Sequence, residues 1–125
     1  MSGVTLDAGA LIAFERNDRR VVAALRLALE RDMPITVPAG VVGQVWRDGS
    51  RQVRLARLLG GVGVTVETLD DAGARLAGQL CGATGTRDVT DAVVVLGASA
   101  RGDRIFTSDI DDLRRLDPSA ELERV

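Results

Sequence analysis

The chain has 125 residues, 46% of them hydrophobic and 27% charged, with a formal net charge of −2. That is the composition of a single globular domain, large enough to bury roughly two thirds of its unfolded surface without staples. There is no histidine, lysine or tyrosine, and Cys81 is the only cysteine. These absences exclude Ser-His-Asp and Cys-His nucleophilic machinery, histidine acid–base catalysis, structural zinc sites, phosphate-loop and Schiff-base lysines, and disulfides.

Taken in chain order, residues 3–6 read as a short buried strand and residues 8–15 as a helix opening after Asp7. A second helix is predicted from about Asp18 to Arg31, where Val21, Val22, Leu25 and Leu29 give a wide apolar stripe. "PITVP" is a strand between prolines, and Pro38 suits the first turn of a helix carrying Val41, Val42, Val45 and Trp46 and ending near Gly49. Ser50 is expected to cap the next helix, "RQVRLARLL", on which Arg51, Arg54 and Arg57 form the pattern of a solvated face. Gly60, Gly61 and Gly63 are turn residues, because they follow a helix and precede a strand, the reverse of a phosphate-binding loop. "GVTVETL" alternates as a strand, Asp70-Asp71 starts a helix that holds Cys81 as a small core residue, and Asp88 or Thr90 caps a helix ended by Gly102. "RIFTS" is a strand, residues 110–116 a short helix, and "ELERV" an edge strand.

This β-α-α-β-α-α-β-α-α-β-α-β order implies an α/β fold, a three-layer α/β/α sandwich around a central, mainly parallel sheet. Residues 1–125 form one domain, with no repeat or linker. The longest apolar run, "AVVVLGASA", is too short to span a bilayer. The N-terminus lacks a basic region, and Asp7 and Glu15 break up the first apolar stretch, so no signal peptide is predicted and a cytoplasmic protein with no membrane attachment is expected.

Three acids stand next to element ends: Asp7 after the first apolar run, Asp91 at the start of a long apolar helix, and Asp109 after "RIFTS". Each alone is a good helix-cap candidate, and Asp88 with Asp91 resembles a capping pair. Together they are different, because strand ends of an open parallel sheet line one crevice. Carboxylates gathered there repel one another unless a hard cation such as Mg²⁺ or Mn²⁺ neutralises them, which points to metal-assisted phosphodiester chemistry. Thr107 and Ser108 stand where a hydroxyl could meet a phosphate or a water. The acidic total argues against a generally basic nucleic-acid binder, although all 16 basic residues are arginines, whose forked guanidinium suits phosphate.

The segments "LDAGALIAF", "VPAGVVGQVWRDG" and "DVTDAVVVLGASARGDRIFTSDIDDL" resemble the PIN-domain nucleases, and within them the VapC-type toxins of bacterial toxin–antitoxin pairs. The resemblance covers essentially the whole chain. It implies a metal-dependent endoribonuclease of PIN-like fold, often a homodimer, silenced by a cognate antitoxin lying in the active-site groove. It matches Asp7, Asp91 and Asp109 to the metal-binding acids and Thr107 to the strand-end hydroxyl, with Asp88 and Asp112 as accessory acids. One position departs from the pattern, since Gln44 stands where the family has a glutamate; Asp48, one turn on along the same helix, would partly substitute.

The implied reaction is hydrolysis of RNA by a water oriented at Mg²⁺ or Mn²⁺, leaving a 5′-phosphate with no covalent enzyme intermediate. RNA as the substrate follows from the resemblance alone. Gln44 keeps open a second reading, a catalytically weakened PIN module that binds antitoxin or RNA. A receiver-like phosphoacceptor domain has similar length and element order, but its phosphate-pairing lysine is missing. With only Phe14, Trp46 and Phe106 as aromatics, and helices rich in alanine and valine, a homodimer and a tight antitoxin complex are expected, with Trp46 mostly buried.

Overall fold

A computed structural model describes residues 2–125. Its elements follow the predicted order: β1 (Val4–Leu6), α1 (Ala8–Glu15), α2 (Arg19–Glu30), β2 (Ile35–Pro38), α3 (Ala39–Val45), α4 (Val53–Leu59), β3 (Val64–Glu67), α5 (Asp71–Thr84), α6 (Val89–Arg101), β4 (Arg104–Thr107), α7 (Ile110–Leu116) and β5 (Leu122–Arg124). The five strands form one sheet in the order β3-β2-β1-β4-β5, and every neighbouring pair is parallel. Strands of three or four residues suffice because β1 and β2 are wholly buried and rich in β-branched side chains. The sheet is entirely parallel, with "ELERV" supplying the edge strand as expected.

Helices α1 to α4 pack among themselves and on β1 to β4, while α5, α6 and α7 make the other layer. On α2, Val21, Leu25 and Ala28 are buried at helical spacing while Arg19, Arg20, Arg26 and Glu30 face water. Cys81 lies in the core on α5, as its setting predicts. Gly102 ends α6 at φ +72°, a left-handed conformation that glycine adopts without steric cost, and the chain turns there into β4.

A buried polar network holds α6 on the sheet. Asp103 accepts hydrogen bonds from Gly3 N–H at 2.9 Å, the Thr5 hydroxyl at 2.8 Å and Arg101 Nε at 2.9 Å. Arg101 also pairs with Glu67 and donates to Thr5 Oγ1 at 3.0 Å. Asp103 is thereby fully partnered despite its burial. The network ties the C-terminal end of α6 to β1 and β3, and so fixes the axis along which Asp91 is presented at the other end.

The corner between α3 and α4 differs from expectation. Helix α3 stops at Val45, and Trp46 has extended backbone at φ −69°, ψ 129°. The Gln52 side chain causes this: its carbonyl oxygen accepts from Arg47 N–H at 2.7 Å and Asp48 N–H at 2.9 Å, the groups that would have continued the helix. The Arg47 guanidinium covers the freed carbonyl of Gly43. Ser50 does not cap α4, because its hydroxyl and N–H are taken by Asp48 at 2.7 and 3.0 Å, and α4 begins only at Val53.

Candidate active site

The strand order reverses between β1 and β4: the chain proceeds outward through β2 and β3, returns to pair β4 with the other side of β1, and ends at β5. In open parallel sheets the crevice at the carboxyl ends of two such strands is the ordinary ligand site, since successive crossovers diverge there. Asp7 follows β1 and Thr107-Ser108-Asp109 closes β4, so both sides of this crevice are acidic. Helix α6, which leads into β4 and packs on β1, β2 and β4, brings the third acid, Asp91, in its first turn.

Asp7 is 3% exposed and caps α1, accepting from Ala10 N–H at 3.0 Å. Asparagine and aspartate cap equally well, so the cap does not require the charge. Thr107 is fully buried, and its hydroxyl accepts the Asp109 N–H at 2.8 Å beside the Asp7 carboxylate. That hydroxyl thus fixes the backbone from which Asp109 leaves β4. Gly9 allows the approach, since a Cβ there would stand 2.1 Å from Ser108 Oγ and 3.2 Å from Ser108 N. Asp109 occupies the N-cap position of α7 but caps nothing with its side chain, and it is exposed. Asp88 caps α6 through the Asp91 N–H at 2.9 Å, which leaves the Asp91 carboxyl free of any capping role.

Burial raises the Asp7 carboxyl above its ordinary pKa, against hydrogen bonds from Thr107 and Ala10, and the Asp109 charge adds to the rise. Asp91 is pushed up to about 7, first by burial and then by the charges of Asp88, Asp7, Asp109 and Asp112. One carboxyl thus registers Asp7, Asp88, Asp109 and Asp112 together. Among the described residues, no three carboxylate or thiolate side chains stand close enough to hold an ion as they are. The donor set nonetheless suits a hard divalent cation, being all oxygen and carrying charge that is uncompensated from within.

A pH dependence results. In the unfolded chain Asp91 titrates near ~4, whereas in the fold it holds its proton up to about 7. Between those values the unfolded state is charged and the folded state resists charging, so stability falls as pH rises through this window and levels off above it. Asp91→Asn removes the loss. Its thermal midpoint should fall less than that of the wild type between about pH 4.5 and about pH 7.5; parallel curves for the two proteins would contradict the assignment.

Gln44 is exposed on α3, one turn beyond Gly40, whose Cα faces Thr90 in the first turn of α6 at the distance of a 3.3 Å Cβ contact. The helix therefore carries Gln44 along the side that borders the start of α6. Asp48 does not join it: α3 has already ended, and the Asp48 carboxylate turns to Ser50 and to an exposed pair with Arg51. Trp46 is 37% exposed rather than buried, its ring lying over Gly49, because the early end of α3 swings it out of the core.

Two basic residues at the site are not evident in the sequence. A cleft beside Asp91 is lined by Thr86, Arg87, Asp88, Asp91, Asp112, Arg115 and Leu116. The available signal is spacing: Arg115 lies three residues after Asp112 on α7, and Arg87 directly precedes the Asp88 cap.

A chain of VapBC2 from Rickettsia felis, solved bound to a promoter DNA fragment, superposes with a TM-score of 0.71 at 17% identity over 98% of both chains. FitAcB from Neisseria gonorrhoeae gives 0.62 at 16% identity over 95% of both chains. VapBC-5 from Mycobacterium tuberculosis, a member of the VapBC family of toxin–antitoxin systems, gives 0.53 at 23% identity over 99% of this chain and 97% of that one. The chain has the fold of these toxin–antitoxin proteins. The VapC-type resemblance read in the sequence is matched by the fold. No family model matches the chain, and no curated protein sequence does.

Proposed function

We propose that the chain is a metal-dependent endoribonuclease of the PIN type and the toxin of a VapBC-type toxin–antitoxin pair. The observation that supports this reading is the placement of Asp7 and Asp109 at the ends of β1 and β4, where the strand order reverses, with Asp91 in the first turn of α6 near enough to feel the charge of both, in a chain that lacks histidine, lysine and tyrosine. Asp7, Asp91 and Asp109 would hold Mg²⁺ or Mn²⁺, with Asp88, Asp112 and Gln44 at the margin. A divalent ion there supplies charge neutralisation at the phosphate and acidifies a water for attack on phosphorus. The rest falls to the chain. The Thr107 hydroxyl holds the Asp109 backbone, and the Ala10 N–H orients the Asp7 carboxylate. The attacking oxygen joins phosphorus as the bond to the leaving 3′-oxygen breaks, giving a 5′-phosphate.

An antitoxin partner accords with the assemblies in which the structural neighbours were solved. An apolar groove supports it as well: Phe14, Val22, Leu25, Leu29 and Leu58 form the floor, and Arg26, Arg54 and Arg57 the rim. That combination accepts an amphipathic segment carrying acidic residues. Exposed Val62, Leu69 and Leu76 leave apolar surface for a homodimer. No helix among the described residues is long and apolar enough to cross a membrane.

The test is cleavage of a mixed single-stranded RNA pool by purified protein. Fragments with 5′-phosphate ends are expected with Mn²⁺ and none with excess EDTA. Cleavage that persists in EDTA would overturn the reading. Intact RNA together with tight Mn²⁺ binding would favour the non-catalytic module, the alternative to which the neutral Gln44 points.

A further inference from the structure

We infer that Arg87 and Arg115 bind RNA phosphates flanking the scissile one, on the α6/α7 side of the acid cluster. The inference rests on the ribonuclease reading and adds to it the path of the substrate. Both guanidinium groups line the cleft that contains Asp91 and Asp112. Among the described residues, neither makes an ion pair or a side-chain hydrogen bond, although three carboxylates share the cleft with them. Their N–H donors are therefore uncommitted and present the fork that matches a phosphate bidentately.

Four other arginines are already engaged. Arg101 is bound to Glu67, Asp103 and Thr5, Arg104 to Glu123, Arg54 to Asn17, and Arg47 to backbone carbonyls. Electrostatics supplies the reason such residues are needed. Asp91 senses Asp88, Asp7, Asp109 and Asp112, and a divalent ion offsets only two of the charges gathered there. A polyanion approaching that cluster is repelled unless cations stand beside it. Arg87 and Arg115 are positioned for this, in a cleft that contains Asp91 but neither Asp7 nor Asp109, so they meet phosphates next to the reacting one rather than the reacting one itself.

A role in substrate binding has a signature that a structural role lacks: removing a cation here weakens RNA binding but relieves repulsion of the metal. The experiment compares wild type, Arg87→Gln, Arg115→Gln and the double variant by anisotropy with a fluorescein-labelled single-stranded 2′-O-methyl oligonucleotide in Mn²⁺, its intact length verified on a gel after each titration, across a salt series. Mn²⁺ affinity without RNA is measured by calorimetry. The double variant is expected to bind RNA about tenfold or more weakly, and its log K against log salt slope should be shallower by about 1.4, at ~0.7 for each single-strand phosphate that is no longer neutralised. Its Mn²⁺ affinity should be unchanged or higher. Equal RNA affinity and slope in wild type and double variant would overturn the inference and leave the ribonuclease reading standing. RNA and Mn²⁺ affinities that fall together would also overturn it, as structural damage. A wild type that binds no RNA in Mn²⁺ would overturn both.

Discussion

Asp7→Asn is expected to reduce RNA cleavage by on the order of 100-fold or more, the scale of removing one preorganised electrostatic contact from a reaction centre, while the protein stays folded. The two halves of this expectation have separate physical causes. The cap on α1 survives, because the asparagine side-chain oxygen can still accept the Ala10 N–H. The buried position tolerates the neutral side chain well, since burial already raises the pKa of Asp7. What the amide cannot supply is a charged oxygen in the crevice between β1 and β4. Far-ultraviolet circular dichroism and thermal unfolding check the fold, and a single-turnover cleavage assay in Mn²⁺ checks the activity. Wild-type rates in a folded Asp7→Asn protein would remove Asp7 from the reaction.

Gln44→Glu is expected to act in the opposite direction. The substitution adds one negative charge at nearly constant volume on an exposed helix position, so it carries little folding cost. A carboxylate facing a divalent ion across a partly shielded cleft contributes on the order of 1 kcal/mol or more, enough for about tenfold in affinity. Mn²⁺ should bind correspondingly tighter, and cleavage at subsaturating metal should rise by a similar factor. Unchanged affinity and activity would mean that Gln44 does not face the acids, and that α3 meets the start of α6 through Gly40 alone. A large rise would also explain why the wild type is the weaker enzyme, and would decide against an inert module.

The contrast between these two positions shows what the sequence could convey. Asp7, Asp91 and Asp109 stood out in the sequence because each is attached to a strong local signal: an apolar strand end, a capped apolar helix, a second strand end. The alternation of strands and paired helices carried the parallel sheet with it. The order of the strands was not legible, yet it is the reversal between β1 and β4 that brings Asp7 and Asp109, from opposite ends of the chain, to one crevice. The α3–α4 corner departs from its sequence pattern for a related reason. Nothing near Val45 in the sequence ends a helix, and the group that ends it is the Gln52 side chain, which takes the Arg47 and Asp48 N–H groups from the far side of the turn. That interaction removes Asp48 from the helical face and exposes Trp46. Likewise Arg115 lies far from Asp91 in the chain, and the packing of α7 against α6 brings it into one cleft with Arg87 and Asp91.

The same packing bears on how the site is regulated by its own charge. Asp91, at about 7, would be partly protonated at neutral pH in the metal-free protein. Binding a divalent ion there must displace that proton, so metal affinity should rise with pH across this range.

The central claim, that Asp7, Asp91 and Asp109 form one divalent-metal site, is tested most directly by titrating Mn²⁺ into the metal-free protein by isothermal calorimetry at neutral pH. The account predicts one saturable site per chain, with proton release on binding, that is lost or weakened at least tenfold in Asp7→Asn, on the scale of about 1.4 kcal/mol. Absence of a saturable site in the wild type, or an identical isotherm in Asp7→Asn, would contradict it.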